Sequence, residues 1–442
     1  MKRLALLFLL ATLVWIGLSV WPPRQGERAD DGFVWPDLSE ADLSGFVVEN
    51  ARGRFECVRQ EGGWAIRVPG AGVKPRAKSE KVKALLDFLT ENKPLRMVGT
   101  LGESELDEYG LLEPRATFTA HSPLSWELRV GERNPTSDGV YARSSREPDS
   151  LLLLDTEFAI VLGRGADHYF DKNLFAFDRE KVRALRGRGP DSGAWELRRG
   201  GEGDGWVFSA PEKAKGWPVS QTEVDYFLHT LGTIKAAELL VGRGEPAGDP
   251  SLVVEVELAA DGEEAVQRLT AYPDGGNGPP WLGVSTSQPV PAGLDEQRFE
   301  QLNRSAFSLR DRRVITLDLS RVQRMRLDGA RADLLAHKGD SVWRDNQGAE
   351  IVGLDVLLWR LTDVRYQREP VVELPEGAER ALTWELMDEE GERLLKLAFF
   401  RDNGLEEGQY WLKNDNTGEF YPVCGGLLKD LTERLPSPGT GE

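Results

Sequence analysis

The densest cluster of groups able to move a proton is Asp167-His168-Tyr169-Phe170-Asp171. Proton transfer there would need a carboxylate held against the imidazole. The same residues also lead into an apolar stretch expected to be a strand from Leu174, and that structural role is the better reading. Asn414-Asp415-Asn416-Thr417-Gly418-Glu419 hints at a calcium loop, but the Asp that opens an EF-hand loop is absent. A hairpin turn between Trp411 and Phe420 is expected instead. The four histidines, His121, His168, His229 and His337, sit in unrelated contexts. Two cysteines exclude a Cys-based zinc or iron–sulfur cluster. Cys57 and Cys424 are 367 residues apart and read as two unrelated buried thiols. Gly187-Arg188-Gly189-Pro190 fails the dinucleotide spacing, and its proline removes a backbone donor. The sequence holds no phosphate-binding Gly-x-x-x-x-Gly-Lys-Ser/Thr, no Gly-x-Ser-x-Gly elbow and no His-Glu-x-x-His. Catalytic, cofactor-binding and metal-ligating residues are therefore all expected to be absent, and the chain is read as a non-enzyme.

The elements that would have to position any chemistry say more. The chain has 442 residues, enough for about three globular units. Lys and Arg total 55 against 73 Asp and Glu, a net charge of −18, which argues against nucleic-acid binding. Hydrophobic residues make up 40%, with 13 Trp and 17 Phe, enough for buried cores. Two basic runs interrupt the acidic background, Arg179 to Arg188 and Arg304 to Arg331. They could face lipid headgroups or an acidic partner. An exposed strand face balanced by Asp311, Asp318 and Asp328 is the expectation.

Lys2 and Arg3 precede an uncharged run from Leu4 to Trp21, closed by Pro22 and Pro23. Eighteen residues at a rise of ~1.5 Å nearly span a ~30 Å hydrocarbon core. A cleaved signal peptide ending near Ser19 is the competing reading. The bulky Trp15, Val20 and Trp21 beyond or beside that cut favour an uncleaved anchor over residues 1–23. The positive-inside rule puts the bulk of the chain outside the cytoplasm under either reading.

Internal repetition is the most informative feature. Leu174 to Val182 and Val314 to Val322 read alike, with Asp178 and Asp318 140 residues apart, and Ser39 to Val47 is a weaker counterpart. Trp64, Trp206 and Trp343 follow at similar spacing, which fits packing within each copy better than sugar-stacking platforms. Helical stripes come next: Val82, Leu85, Leu86, Leu89; Val224, Phe227, Leu228, Leu231; and Leu354, Leu357, Leu358, Leu361. Ser220 with Glu223 reads as a capping box for the second. Trp64 to Val82 and Trp206 to Val224 are both 18 residues, against 11 from Trp343 to Leu354. Alternating strands follow each helix, among them Ala116 to Ala120, Trp126 to Val130, Leu252 to Leu258 and Leu394 to Phe400. The fold class is α+β: an N-terminal membrane helix and three repeats, each of strands, one amphipathic helix and a β-meander. The expected boundaries are 33–177, 178–317 and 318–436, with a disordered tail at 437–442.

A strand pair ending at Trp64, then Pro69, an amphipathic helix and Tyr109-Gly110-Leu111-Leu112-Glu113-Pro114 form a recognisable order. With Leu128-Arg129-Val130-Gly131 and Gly139-Val140-Tyr141-Ala142 after it, the chain resembles the bacterial family called domain of unknown function 4340. The resemblance covers about Leu38 to Leu317 well and the third copy loosely. It implies an inner-membrane anchor, a periplasmic bulk and an accessory role beside ABC transporter components of the gliding-motility type. It supplies no site residues. An envelope polysaccharide- or peptide-binding module is the alternative function.

Overall fold

The computed structural model describes residues 34–121, 125–136, 138–201, 205–259, 265–276, 278–329, 333–339, 342–401 and 408–434. The expected anchor at 1–23 and tail at 437–442 lie outside them. Among the described residues no helix is long and apolar enough to cross a membrane.

The fold is α+β and built on antiparallel sheets. The first sheet has β1 (Gly45–Asn50), β2 (Gly53–Gln60), β3 (Gly63–Arg67), β4 (Arg96–Thr100), β5 (Ala116–Ala120), β6 (Trp126–Arg133), β7 (Val140–Ser144) and β8 (Glu147–Leu154). Its order is β3-β2-β1-β5-β6-β7-β8-β4. Because β3 and β4 are opposite edges, the helix between them, α1 (Ser79–Glu91), must cross the sheet. That crossing explains the stripe: Val82, Leu85, Leu86 and Leu89 are all buried, removing apolar surface from water at ~25 cal/mol per Å².

Next in the chain come α2 (Glu157–Leu162), α3 (Ala166–Tyr169), β9 (Val182–Gly189), β10 (Gly193–Arg199), β11 (Trp206–Ala210) and α4 (Gln221–Thr233). They are followed by β12 (Glu238–Leu239), β13 (Leu252–Leu258), β14 (Ala265–Pro273), β15 (Trp281–Ser285), β16 (Ala292–Leu294), α5 (Glu296–Leu302) and α6 (Ala306–Leu309). From β10 the second sheet runs β10-β9-β13-β14-β15-β16-β12, the same path as β2 to β4. The remainder is β17 (Arg324–Gly329), β18 (Asp333–Gly339), β19 (Val342–Asp345), α7 (Leu354–Thr362), β20 (Glu379–Met387), β21 (Arg393–Arg401), β22 (Gln409–Asn414), β23 (Phe420–Cys424) and α8 (Leu427–Arg434). The third sheet runs β19-β18-β17-β20-β21-β22-β23 and has no full counterpart of β4. Between α7 and β20 the chain makes only isolated bridges, Arg313 to Arg365, Tyr366 to Val423 and Val371 to Phe420.

Two compact units result. One holds the described residues up to Arg199 with Tyr226–Ser305; the other holds Gly200–Asp225 with the described residues from Ala306 onward.

Three expectations need correction. Each repeat has more than one helix, because α2, α5 and α8 follow the meanders. At six to eight residues they are too short for a periodic signal. Leu174 does not start a strand. Residues 174–178 and 314–318 are extended chain outside any ladder, and each ends in a 3₁₀ turn capped by Asp178 or Asp318. Leu174 and Phe175 are apolar because packing buries them, not because they alternate across a sheet. The capping box is half formed: the Ser220 hydroxyl accepts from the Glu223 N–H at 3.3 Å, but the Ser220 N–H donates to the Leu309 carbonyl.

The joint at 309–314 is fixed partly by a buried side chain. Asn414, at the end of β22, donates from Nδ2 to the Val314 carbonyl at 3.0 Å. Replacing Asn414 with Ala leaves that carbonyl buried without this donor, so Asn414→Ala is expected to destabilise the chain by about 1–3 kcal/mol. Urea unfolding monitored by circular dichroism checks this; an unchanged midpoint would refute it.

Candidate functional site

The polar-aromatic cluster does not assemble a proton-transfer dyad. Residues Asp167, His168 and Tyr169 lie in α3, a single turn. The partner of His168 Nε2 is a cation, Arg164 Nη1 at 3.2 Å. Burial, then Lys81 and Arg164, hold the His168 imidazole below its usual value. Tyr169 is buried, its hydroxyl has no partner among the described residues, and desolvation pushes it up to about 12. Lys81 Nζ donates to the His168 carbonyl at 2.6 Å, tying α3 to α1. A guanidinium stands where a general base would need its orienting carboxylate.

The other candidates separate in the same way. Asn414 to Glu419 forms the hairpin between β22 and β23. Among the described residues no cluster of three or more His, Cys, Asp or Glu could hold a metal. Cys57 and Cys424 are both free; Cys57 is buried as expected, and desolvation raises its thiol strongly. Cys424 is exposed at the end of β23, a correction to the expectation of two buried thiols. Trp64, Trp206 and Trp343 are buried, not presented as platforms. Trp64 donates to Glu40 Oε1 at 2.6 Å and has Arg59 over its ring. Trp343 repeats this with Asp355 Oδ1 at 3.1 Å and Lys338.

Four arginines of the basic runs have acidic partners. Arg186 on β9 contacts Glu196 on β10 and Glu255 and Glu257 on β13, while Arg268 on β14 contacts Glu255 at 2.6 Å. Arg313 pairs with Asp311 and Arg326 with Asp328 at 2.8 Å. Arg310 pairs with Glu369 at 3.5 Å, and its guanidinium also lies between Trp217, at 4.5 Å, and Tyr366, at 5.2 Å.

Three grooves are found among the described residues. A groove of about 550 Å³ lies at the start of α1, lined by the Gly62-Gly63 turn, Arg76, Lys78, Asp171 and Asn173. A second, about 470 Å³, lies on the face of the first sheet beside Arg54, His121, Glu127 and Arg129. A third, about 350 Å³, is bounded by Trp359, Arg360, Arg365, Tyr410, Cys424 and Gly425-Gly426.

The third adjoins the most unusual surface of the protein. α7 buries Leu354, Leu357, Leu358 and Leu361, but its outward side also carries apolar groups. Val356 is 58% exposed and Trp359 65%, and their spacing of three puts them on one face; Val352, 72% exposed, stands just ahead of the helix start. In α1 the positions matching Val356 and Trp359 are Ala84 and Asp87, and Asp87 pairs with Lys83 at 2.6 Å. In α4 they are Tyr226 and His229, and Arg304 covers the Tyr226 ring at 5.8 Å. Sequence reading missed this face. The signal for it was the pair of apolar residues off the leucine stripe, which makes α7 apolar nearly all round.

Residues 64–252 match the family model described as Domain of unknown function (DUF4340). The chain resembles that family over this span. The match begins at Trp64 on β3 and ends at the start of β13, narrower than the Leu38 to Leu317 the motifs suggested. No curated protein and no solved structure matches the chain.

The His168 environment gives a signed pH expectation. Its folded value is lowered, so between that value and the ordinary ~6.5 the unfolded chain binds more protons, and stability rises with pH across that window. NMR titration of the imidazole should give a midpoint below 6.5, and Arg164→Ala should raise it. A wild-type midpoint at or above the ordinary value would refute the assignment.

Proposed function

We propose that the chain is a non-catalytic, membrane-anchored extracytoplasmic protein, an accessory component of an ABC transporter assembly of the gliding-motility type. The observation that carries the interaction role is the apolar outward face of α7. Val356 and Trp359 expose apolar groups on one face of a helix whose other face already serves the core, with exposed Val352 just ahead of it, and exposed apolar surface of this kind marks contact sites. The apolar run from Leu4 to Trp21 and the positive charges before it support a single-pass anchor in the bacterial inner membrane, with the bulk periplasmic. Resemblance to domain of unknown function 4340 over residues 64–252 supports the transporter as partner.

The second reading, an envelope polysaccharide- or peptide-binding module, is favoured by one observation, the groove beside exposed Trp359. Trp at contact sites supplies large area with little ordering cost.

Affinity purification of the full chain from detergent-solubilised membranes tests the first reading. Transporter subunits should co-purify with the wild type. Val356→Asp places a charge in the strip and should cut their recovery about tenfold or more, the effect of losing ~1–2 kcal/mol at a contact centre. Repeated recovery of this chain alone would sink the proposal.

A further inference from the structure

The groove beside Trp359 has an electrostatic arrangement that the protein alone leaves incomplete. α8 begins at Leu427 after Gly425-Gly426. The first N–H groups of a helix have no intrahelical acceptor, and they carry the positive end of its dipole. An anion belongs there. Two side chains reach it: Arg360 Nη2 lies 3.6 Å and Asp430 Oδ2 3.7 Å from the position a Cβ on Gly426 would occupy. Asp430 pairs with this guanidinium, so one carboxylate faces both a full positive charge and the helix end.

Tyr410 is a second and independent sign. It lines the same groove, its ring is 2% exposed, and its hydroxyl has no hydrogen-bond partner among the described residues. Burial keeps the proton on that oxygen, leaving a donor without an acceptor. The acceptors nearby are committed, because Asp430 faces Arg360 and Asp363 faces Arg365 at 3.6 Å. The unmet capacity consists of donors.

We propose that this groove captures the C-terminal carboxylate of an apolar peptide segment. The carboxylate accepts from the first N–H groups of α8 and from the Tyr410 hydroxyl, beside Arg360. The terminal side chain packs on Trp359, and Val356 continues the apolar surface along α7. Backbone capture of a chain-terminal carboxylate is an established recognition mode. A neutral polysaccharide fits less well, since its hydroxyls carry no charge to complement the positive end of α8. The assignment stands on this groove alone and does not depend on the transporter reading.

Isothermal titration of the full chain in detergent tests it with three probes: acetyl-Leu-Val bearing a free C-terminus, its C-terminal amide, and digalacturonate. Saturable binding of the free acid is expected, with the amide at least about tenfold weaker, as loss of charge-assisted hydrogen bonds requires. Tyr410→Phe and Trp359→Ala should each weaken the free acid by about tenfold, with melting curves showing that both variants fold. Equal binding of acid and amide, no binding of the acid, or wild-type affinity in both folded variants would overturn the proposal. Binding of digalacturonate without the peptide acid would replace the peptide with an acidic sugar.

Discussion

The structure depends on a short extended joint whose backbone is hydrogen-bonded on both sides. Going in, the Lys78 N–H donates to the Tyr169 carbonyl at 2.8 Å and the Asp171 N–H to the Arg76 carbonyl at 2.9 Å. Going out, Leu174 N–H donates to Ile234 and Ala236 N–H to Lys172. The second joint repeats every element: Ser220 to Leu309 at 3.0 Å, Asp311 to Pro218 at 2.7 Å, Val314 to Val364 and Tyr366 to Arg312. Buried backbone groups must find partners, and here a chain segment crossing from one sheet to the next finds them without joining either. That requirement accounts for the recurring motif. Asp171 and Asp311 accept from the N–H two residues on, and Asp178 and Asp318 cap the turns that feed β9 and β17. It also accounts for the missing side-chain cap on α1, since Lys78 holds the joint where a cap would stand.

The charge distribution follows from the same architecture. Sheets covered by a helix on one face leave the other face to solvent, and polar residues occupy it. Arg186 ties three strands together through Glu196, Glu255 and Glu257, of which Glu257 is nearly buried. Such a network costs less ordering per pair than isolated bridges, because each side chain is already held. It makes Arg186, within the basic run at 179–188, a cross-strand clamp. Arg310 serves a packing role of the same kind, its planar guanidinium filling the space between Trp217 and Tyr366.

Much of the fold was legible in the residues. All twelve positions of the three helical stripes are buried, because a helix laid across a sheet needs one apolar face. The long meander strands were legible too, since alternation is strong over five or more residues. Short pieces were not. β12 has two residues and β16 three, and tertiary contacts, not local pattern, hold them. The α7 groove was illegible for a different reason. Trp359, Tyr410 and Gly426 come from three separate segments, and their convergence is decided by how α7 and α8 pack.

The third copy departs from the other two in ways that share one cause. Its link from Trp343 to Leu354 is seven residues shorter, yet the return segment is kept: the Ile351 N–H donates to the Trp343 carbonyl at 2.8 Å, as Ala77 does to Trp64 at 2.7 Å. α7 starts on Gly353, in the left-handed region at φ +84°. The shortened link also brings Asp355 within reach of both Trp343 and Lys338, which ties the start of α7 to the sheet edge. Past the helix, the chain bridges β23 at two points where the first sheet has a paired strand. A helix held tightly at its start and covered little beyond its end keeps its outward face open. In α1 that face carries the Asp87–Lys83 ion pair and in α4 a half-exposed tyrosine with an arginine beside its ring, whereas α7 leaves valine, tryptophan and a donor groove side by side.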